Sequence, residues 1–294
     1  MKRVFVVANP EKPRVQNALG SLIPWLRGRG DLVGIETDSE YDLASVDADV
    51  ILVLGGDGTL LSTARQLRGR PTPLMGVNFG RLGFLASFTP AEFPIYLDAF
   101  LRDGLAAKPR EMLEVSVLPK DVPYEPQGVE RCLEGRRFAA TALNDAVITA
   151  GPPFHMIELD IRPDSESGIS YNGDGIIIST ASGSTAYNAS AGGAILSPDV
   201  KAFCITPICP HSLSFRPIIV SSNSTIFVRA LHVNPGTTLF CDGQTSTQLC
   251  ADEQIVCRRS QHEVLLIENP EARPWRSLTE KLNWAASPRY SDAP

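Results

Sequence analysis

The run Val53-Leu54-Gly55-Gly56-Asp57-Gly58-Thr59-Leu60 sets three glycines, a carboxylate and a hydroxyl between two apolar segments. Residues 50–54 are apolar throughout and read as a buried strand. Residues 60–67 carry helical apolar spacing. Glycines at a strand-to-helix turn let the backbone come close to a ligand. Free N–H groups at a helix start receive phosphate oxygens. The carboxylate of Asp57 repels phosphate, so its chemistry must differ: it handles a hydroxyl, or a metal, beside the phosphate. The competing reading is a plain turn with a capping Asp.

A second block runs from Tyr171 to Tyr187. It opens with Gly173-Asp174-Gly175, passes through an apolar strand and reaches Ser179-Thr180-Ala181-Ser182-Gly183-Ser184-Thr185. Asn188, Ser190, Gly192 and Gly193 follow. Buried hydroxyls need partners, and a dinucleotide offers ribose hydroxyls, pyrophosphate oxygens and an adenine edge. Tyr187 reads either as a ring that stacks on a base or simply as a partly buried Tyr. The bland alternative is a Ser/Gly-rich surface loop. In Leu143-Asn144-Asp145-Ala146, an amide and a carboxylate abut an apolar strand. An amide reads adenine and a carboxylate accepts from vicinal hydroxyls; a simple turn is the other reading. Asn78-Phe79-Gly80-Arg81-Leu82-Gly83-Phe84-Leu85 follows a predicted strand, and Arg81 can pair a phosphate. Cys241-Asp242-Gly243-Gln244 reads as a hairpin turn.

The elements that position these groups fall into two halves. Strands at 3–8, 32–35, 50–54 and 73–77 alternate with helices at 14–26, 60–67 and 93–101. Such alternation predicts a parallel sheet covered by helices, with ligands beyond the strands' carboxyl ends. From residue 111 to about 268, short apolar runs lie between turn residues, which predicts an all-β second domain. Examples of these strand-like runs are 113–118, 139–149, 156–161, 175–179, 203–208, 225–228, 237–240 and 264–267. Residues 121–129 read as a polar, mobile loop. A short helix at 275–282, followed by Trp284, is expected to fold back onto the first domain, which spans 1–110 with the 269–294 tail.

The 294-residue chain is 43% hydrophobic and 20% charged, as soluble globular proteins are. A formal net charge of −6 argues against nonspecific nucleic-acid binding. Six cysteines show no CxxC pair, and with four histidines there is no zinc-site spacing. They read as thiols of a reduced compartment. The first apolar run ends at Asn9-Pro10, too short for a signal-peptide core, and no segment reaches the length of a membrane span. A cytoplasmic enzyme with no membrane partner is expected.

These blocks, in this order, resemble the NAD kinase family. The resemblance rests on Gly55-Gly56-Asp57-Gly58-Thr59, Gly80-Arg81-Leu82-Gly83-Phe84, Asn144-Asp145, and Asp174-Gly175 through Ser179-Thr180 to Gly183-Ser184-Thr185-Ala186-Tyr187. It continues through Gly192-Gly193, the stretch from Pro207 to Pro217, and Asp242-Gly243-Gln244. Gly-Gly-Asp-Gly alone is shared with diacylglycerol and sphingosine kinases and with phosphofructokinases. The Gly-Ser-Thr-Ala-Tyr and Cys-Pro-His-Ser-Leu segments direct the resemblance to NAD kinase. Two departures stand out. The family usually has Ser-Thr-Pro-Thr or Ser-Thr-Pro-Ser where this chain has Ser179-Thr180-Ala181-Ser182, and often Glu in place of Asp145.

The resemblance implies an N-terminal α/β, Rossmann-like domain and a C-terminal β domain. It implies phosphoryl transfer from ATP or polyphosphate to the 2′-hydroxyl of the adenosine ribose of NAD, with Mg²⁺ carried on the donor phosphates. Asp57 is implied as the base that orients and deprotonates the hydroxyl. An ordinary Asp, at about 3.9, is a weak base for an alcohol, but proton transfer comes late in a loose transition state. Gly55, Gly56, Gly58, Thr59 and Arg81 are implied at phosphates. Asn144, Ser182 and Ala186 are implied to read adenine, and Asp145 to hold ribose hydroxyls. Gly58, Phe84, Asp174, Thr185, Tyr187 and His211 line the same cleft, with Asp242 and Gln244 as further binding candidates. The family's habit implies a homodimer or homotetramer. Two rivals remain: a lipid kinase, for which no basic amphipathic helix is present, and a non-catalytic dinucleotide sensor.

Overall fold

The computed structural model describes residues 2–38, 41–80, 83–102, 104–122, 128–164, 166–271 and 278. The first half contains β1 (Arg3–Ala8), α1 (Pro13–Arg27), β2 (Asp31–Glu36), β3 (Val50–Gly55), α2 (Asp57–Gln66), β4 (Leu74–Asn78) and α3 (Phe93–Leu101). The strands pair in parallel in the order β2-β1-β3-β4. β3 and β4 are buried along their whole length, as uninterrupted apolar runs in a helix-covered parallel sheet must be. α1 begins on proline and buries Val15, Leu22 and Leu26 along one face. The strand order reverses between β1 and β3, so a crevice opens at their carboxyl ends.

The second half is β-rich, as expected, and its strands pair antiparallel. Its elements are β5 (Lys108–Leu118), α4 (Val129–Glu134), β6 (Phe138–Ala142), β7 (Asp145–Thr149), β8 (Ile157–Pro163), β9 (Ile169–Gly173), β10 (Gly175–Thr180), α5 (Tyr187–Ser190), β11 (Ala202–Ile208), β12 (Ile218–Ser221), β13 (Ile226–His232), β14 (Thr238–Cys241), β15 (Thr245–Gln248) and β16 (Gln254–Ile267). A six-stranded sheet runs β12-β11-β10-β7-β14-β15. The remaining strands join the parallel sheet to make ten strands, because β16 is antiparallel to β13 and β5 yet parallel to β4 through Leu266 and Ile267. The large core lies between the two sheets and includes Leu113, Leu159, Tyr171, Ile176, Phe203 and Val228.

Several elements differ from the sequence reading. The boundary expected at 110/111 lies inside β5. The run expected as one strand over 139–149 is two, β6 and β7, in different sheets. Strands β9, β12 and β15 are further short strands of the β-rich half beyond the runs picked out, and helix α4 interrupts it. The helix and Trp284 expected beyond 275 fall on residues that, apart from 278, lie outside those described. Residues 269–271 do turn toward the first half: Asn269 N donates to Ser87 Oγ at 3.1 Å. Among the described residues no helix is long and apolar enough to cross a membrane.

Candidate active site

β3 ends in Gly55, and Gly56, in extended backbone, caps α2. The helix starts at Asp57, three residues earlier than the apolar spacing indicated, because Gly58 is tolerated in a first turn where the backbone is held from outside. The Asp57 carboxylate does the holding. Phe84 N donates to Oδ2 at 2.8 Å, and Leu85 N and Ala86 N donate to Oδ1 at 3.3 and 2.9 Å. Any Cβ on Gly83 would collide with that carboxylate, so the loop after β4 can close on Asp57 only with glycine there. Asp57 and Phe84, expected together, are together. Arg81 lies outside the described residues.

The second carboxylate clamp was not foreseen. Asp242 accepts from Leu143 N at 2.8 Å on Oδ2, and from Asn144 N and Asp145 N at 2.7 and 3.2 Å on Oδ1. These three amides leave the sheet ladder at this point, which is why 139–149 splits into two strands. Asp242 and Gly243 both have positive φ (53° and 65°), as the turn joining β14 and β15 requires. Two residues on, Gln244 Nε2 donates to Gly58 O at 2.7 Å, and Arg65 Nη1 donates to Gln244 Oε1 at 3.0 Å. One hairpin turn therefore grips the Asn144-Asp145 turn with one residue and the Asp57 turn with another. The hairpin was legible in sequence; its two grips were not.

Asn144 Oδ1 is buried and has no hydrogen-bond partner among the described residues. A buried acceptor without a partner is costly, and it is an opening for a ligand N–H. Beside it, Asp145 is 5% exposed. Burial, and then the nearby Asp242 charge, push its pKa up to about 7. Asp242 is itself raised by desolvation, against the pull of its three amides.

The hydroxyl-rich block divides into two sets. Thr180 Oγ1 donates to Leu143 O at 2.6 Å and accepts from Gly183 N at 3.0 Å. Ser184 Oγ donates to Ala181 O at 2.7 Å and accepts from Leu196 N at 3.0 Å. Ser179 donates to Thr180 O, and Asn188 bridges Ser184, Ala194 and Thr206. These groups fold the loop. Outside this set, Thr185 Oγ1 donates to Ser182 O at 3.5 Å, and Tyr187 is 46% exposed. Gly183 lies so close to Asn144 O that a Cβ would strike it, which seats the loop against the Asn144-Asp145 turn.

Asp174 and His211 stand elsewhere. β10 pairs Ser179 with Asp145 at one end and Gly175 with Thr149 at the other. Four residue steps separate these ends, roughly 13 Å at about 3.3 Å per residue. Within one chain, Asp174 and His211 therefore do not join the Asn144-Asp145 turn. They neighbour each other: His211 N donates to Asn172 O, and a hydrogen bond to the Asp174 carboxylate raises the Cys209 thiol.

A cavity of about 850 Å³ opens at the β1/β3 crevice. Gly56, Gly58, Thr59, Ser62, Arg65 and Gln244 line one side, and residues 7–12, with Thr37 and Asp38, line the other. Gly55 is buried under Thr59 and does not line it. Lys12 and Arg65 were not picked out from the sequence. The signal was available: residue 12 follows the first strand, at the same sheet end as the glycine turn.

Comparison with known proteins agrees with this arrangement. Residues 7–105 match the ATP-NAD kinase N-terminal domain, and residues 143–269 match the ATP-NAD kinase C-terminal domain. The NAD kinase of Syntrophotalea carbinolica is 36% identical over 295 residues, covering 97% of this chain and 99% of the relative. That of Rhodopirellula baltica is 33% identical over 286 residues, covering 96% of this chain and 87% of the relative. Among solved structures, yeast NADH kinase complexed with NADH superposes with a TM-score of 0.84 at 26% identity, over 99% of this chain and 90% of that one. An NAD kinase from Archaeoglobus fulgidus in complex with ATP gives 0.71 at 25%, over 96% and 98%. With both halves matched and the relatives aligned along nearly their whole length, the chain belongs to the NAD kinase family.

Proposed function

We propose that this chain transfers the terminal phosphoryl group of ATP, or of polyphosphate, to the 2′-hydroxyl of the adenosine ribose of NAD, giving NADP. The observation that carries this reading is the orphaned Asn144 Oδ1 beside the buried Asp145, joined by one hairpin to the Asp57 turn. Asn144, with Ser182 and Ala186, takes the adenine, whose amino group supplies the missing N–H. Asp145 accepts from the ribose diol. Gly58, Phe84, Thr185 and Tyr187 complete the walls, and Gly56 and Thr59 face the donor phosphates, with Gly55 buried beneath Thr59. Asp174 and His211 stay at the far end of β10 and contact the acceptor only if it extends that way.

In the transfer, the 2′-oxygen forms a bond to the terminal phosphorus, and the bond from that phosphorus to its bridging oxygen breaks. ADP, or a polyphosphate one unit shorter, leaves. The hydroxyl proton goes to Asp57. A carboxylate offers about four lone-pair sites. Among the described residues three are taken by amides, and Oδ2 receives Phe84 N alone, which leaves one site on that oxygen. That lone pair orients the hydroxyl and takes its proton late. Positioning of the hydroxyl carries more of the rate than proton affinity does.

Among the described residues no three acidic, His or Cys side chains converge to cage a metal. Mg²⁺ enters this reading as part of the donor, where it neutralises phosphate charge.

The raised Asp145 gives a pH signature. Its folded pKa of about 7 lies above the ordinary 3.8, so the fold holds its proton longer than the unfolded chain does. This contribution to stability is present below pH 3.8 and is lost as pH rises to about 7. Ribose hydroxyls donate to the charged form, so NAD affinity is expected to fall toward tenfold per pH unit below about 7. Calorimetry at pH 6 in buffers of different ionisation heat should show release of about one proton on NAD binding. In Asp145→Asn the slope and the proton release should vanish; their persistence would remove Asp145 from the ribose.

Assembly as a dimer or tetramer, and a cytoplasmic location, belong to the same reading. The edge strand β12 leaves Ile218 and Ile219 exposed, with Leu213 nearby in sequence 89% exposed, and the mass in solution tests the assembly. All six cysteines are free thiols, as in a reducing compartment.

A further inference from the structure

We propose that Gln244 is a positioning residue for the transfer. With Asp242 it makes the β14–β15 turn a fixed spacer between the Asp57 carboxylate and the acceptor turn at Asn144-Asp145. The inference rests on the transfer reading above and adds to it a residue that acts through Gly58 rather than on a substrate.

The spacer is closed at its centre. Gln244 N donates to Cys241 O at 3.0 Å, which shuts the turn of residues 241–244 around its two positive-φ residues, the form that suits a tight hairpin. Asp242 N also donates to Asp145 O at 3.0 Å, in addition to the three amides on its carboxylate. The acceptor turn is therefore fixed to residue 242 through both its main chain and its side chain. The other end holds one face of α2. Gly58 and Arg65 lie about two turns apart at about 3.6 residues per turn, so they share a face. Gln244 spans them with both ends of its amide: Nε2 donates to Gly58 O at 2.7 Å, and Oε1 accepts from Arg65 Nη1 at 3.0 Å.

The start of α2 needs such a hold. Gly56 at its N-cap supplies no side-chain cap, and glycine, as at 58, favours a helix less than any residue but proline. A helix carbonyl keeps a second lone pair beyond its intrahelical bond, and at Gly58 the Gln244 amide fills it. Asp57 immediately precedes Gly58, so any tilt of that peptide swings the carboxylate. The 2′-hydroxyl of NAD stands on the ribose carbon next to the one that bears adenine. With adenine on Asn144 and the hydroxyl at Asp57, the acceptor spans the same two turns that the hairpin joins. The hairpin thereby sets how closely the hydroxyl approaches the carboxylate, and a misplacement of about 1 Å costs about 100-fold in rate. An amide engaged by protein at both ends suits a spacer and not a substrate contact.

The test compares wild type, Gln244→Met, Gln244→Glu, Asp57→Asn and the double variant Gln244→Met with Asp57→Asn. Steady-state kinetics with NAD, ATP and Mg²⁺ are measured for each, with hydrogen exchange of the amides of residues 60–63 in the ligand-free chain. Met keeps the side-chain length and lacks the amide. It should lower kcat about 10–100-fold, leave the KM for NAD and for ATP within about twofold, and speed exchange at 60–63. Glu keeps the partner of Arg65 but sets an oxygen against Gly58 O, so kcat should fall at least as far. In the Asp57→Asn background, Gln244→Met should cost less than about twofold more, because the two residues act as a unit. Full kcat in Gln244→Met overturns the proposal. So does a KM raised with kcat unchanged, which makes Gln244 a substrate contact, and so do losses that multiply in the double variant. A wild-type chain that makes no NADP refutes the transfer reading; faster exchange in Gln244→Met then still shows the hold on α2, and unchanged exchange refutes that as well.

Discussion

Replacing Asp57 by Asn is expected to lower kcat by about 10²–10⁴-fold while NAD affinity stays within a few-fold. The substitution keeps an oxygen for Leu85 N and Ala86 N but turns an NH₂ group toward Phe84 N, which now donates to Oδ2. Two donors then face each other, and the fold should lose about 1–3 kcal/mol. The lone pair left open for the hydroxyl disappears with the same change. Urea unfolding and NAD titration separate the two effects. A folded variant with full turnover removes Asp57 from the chemistry. A variant that loses NAD binding in step with kcat shows that the carboxylate acts by holding the loop after β4.

Asp242→Ala should be the most destabilising single change in the site, at about 3–5 kcal/mol. It removes three charge-assisted hydrogen bonds at once and leaves buried amides unsatisfied. It also places alanine at φ 53°, where Asn and Asp are tolerated better. Asp242→Asn should lose less, because it keeps an acceptor for Asn144 N and Asp145 N and tolerates that φ. Either variant removes a negative charge beside Asp145, so the pKa near 7 should drop and the pH dependence of NAD binding should move to lower pH. Denaturant midpoints read the first effect, and NAD titrations from pH 5 to 8 read the second. A shift in stability with no shift in the pH dependence would mean that burial alone raises Asp145.

The parts legible in sequence were local. An apolar run ending in glycines defines β3 and its turn within about ten residues, and parallel pairing follows from alternation. The fold class emerged that way, with the family resemblance pointing to the same division. What escaped the sequence depends on contacts distant along the chain. Asp242 lies 97 to 99 residues from the amides it holds, and nothing near it signals a clamp. The run 139–149 read as one strand although Asn144-Asp145 interrupts its apolar residues, because the clamp of Asp242 on the backbone there comes from far along the chain. The hydroxyls of Ser179, Thr180 and Ser184 looked like ligand contacts because a sequence gives the need for partners but not their source; their own loop supplies them. Asp174 and His211 belong to the same motif series as Asn144, yet the antiparallel run of β10 carries them to its far end. Lys12 was hidden because a lysine after a first strand is ordinary until the strand order puts it beside β3.

The central claim is phosphorylation of NAD, and its most direct measurement is NADP produced by the purified chain. NAD, ATP and Mg²⁺ are incubated with the protein, and NADP is read by a dehydrogenase that accepts NADP alone. NADP should accumulate in proportion to enzyme, require both substrates, and fall by the stated factor in Asp57→Asn. No NADP from ATP, from other nucleoside triphosphates or from polyphosphate, with a folded protein that binds NAD, would contradict it.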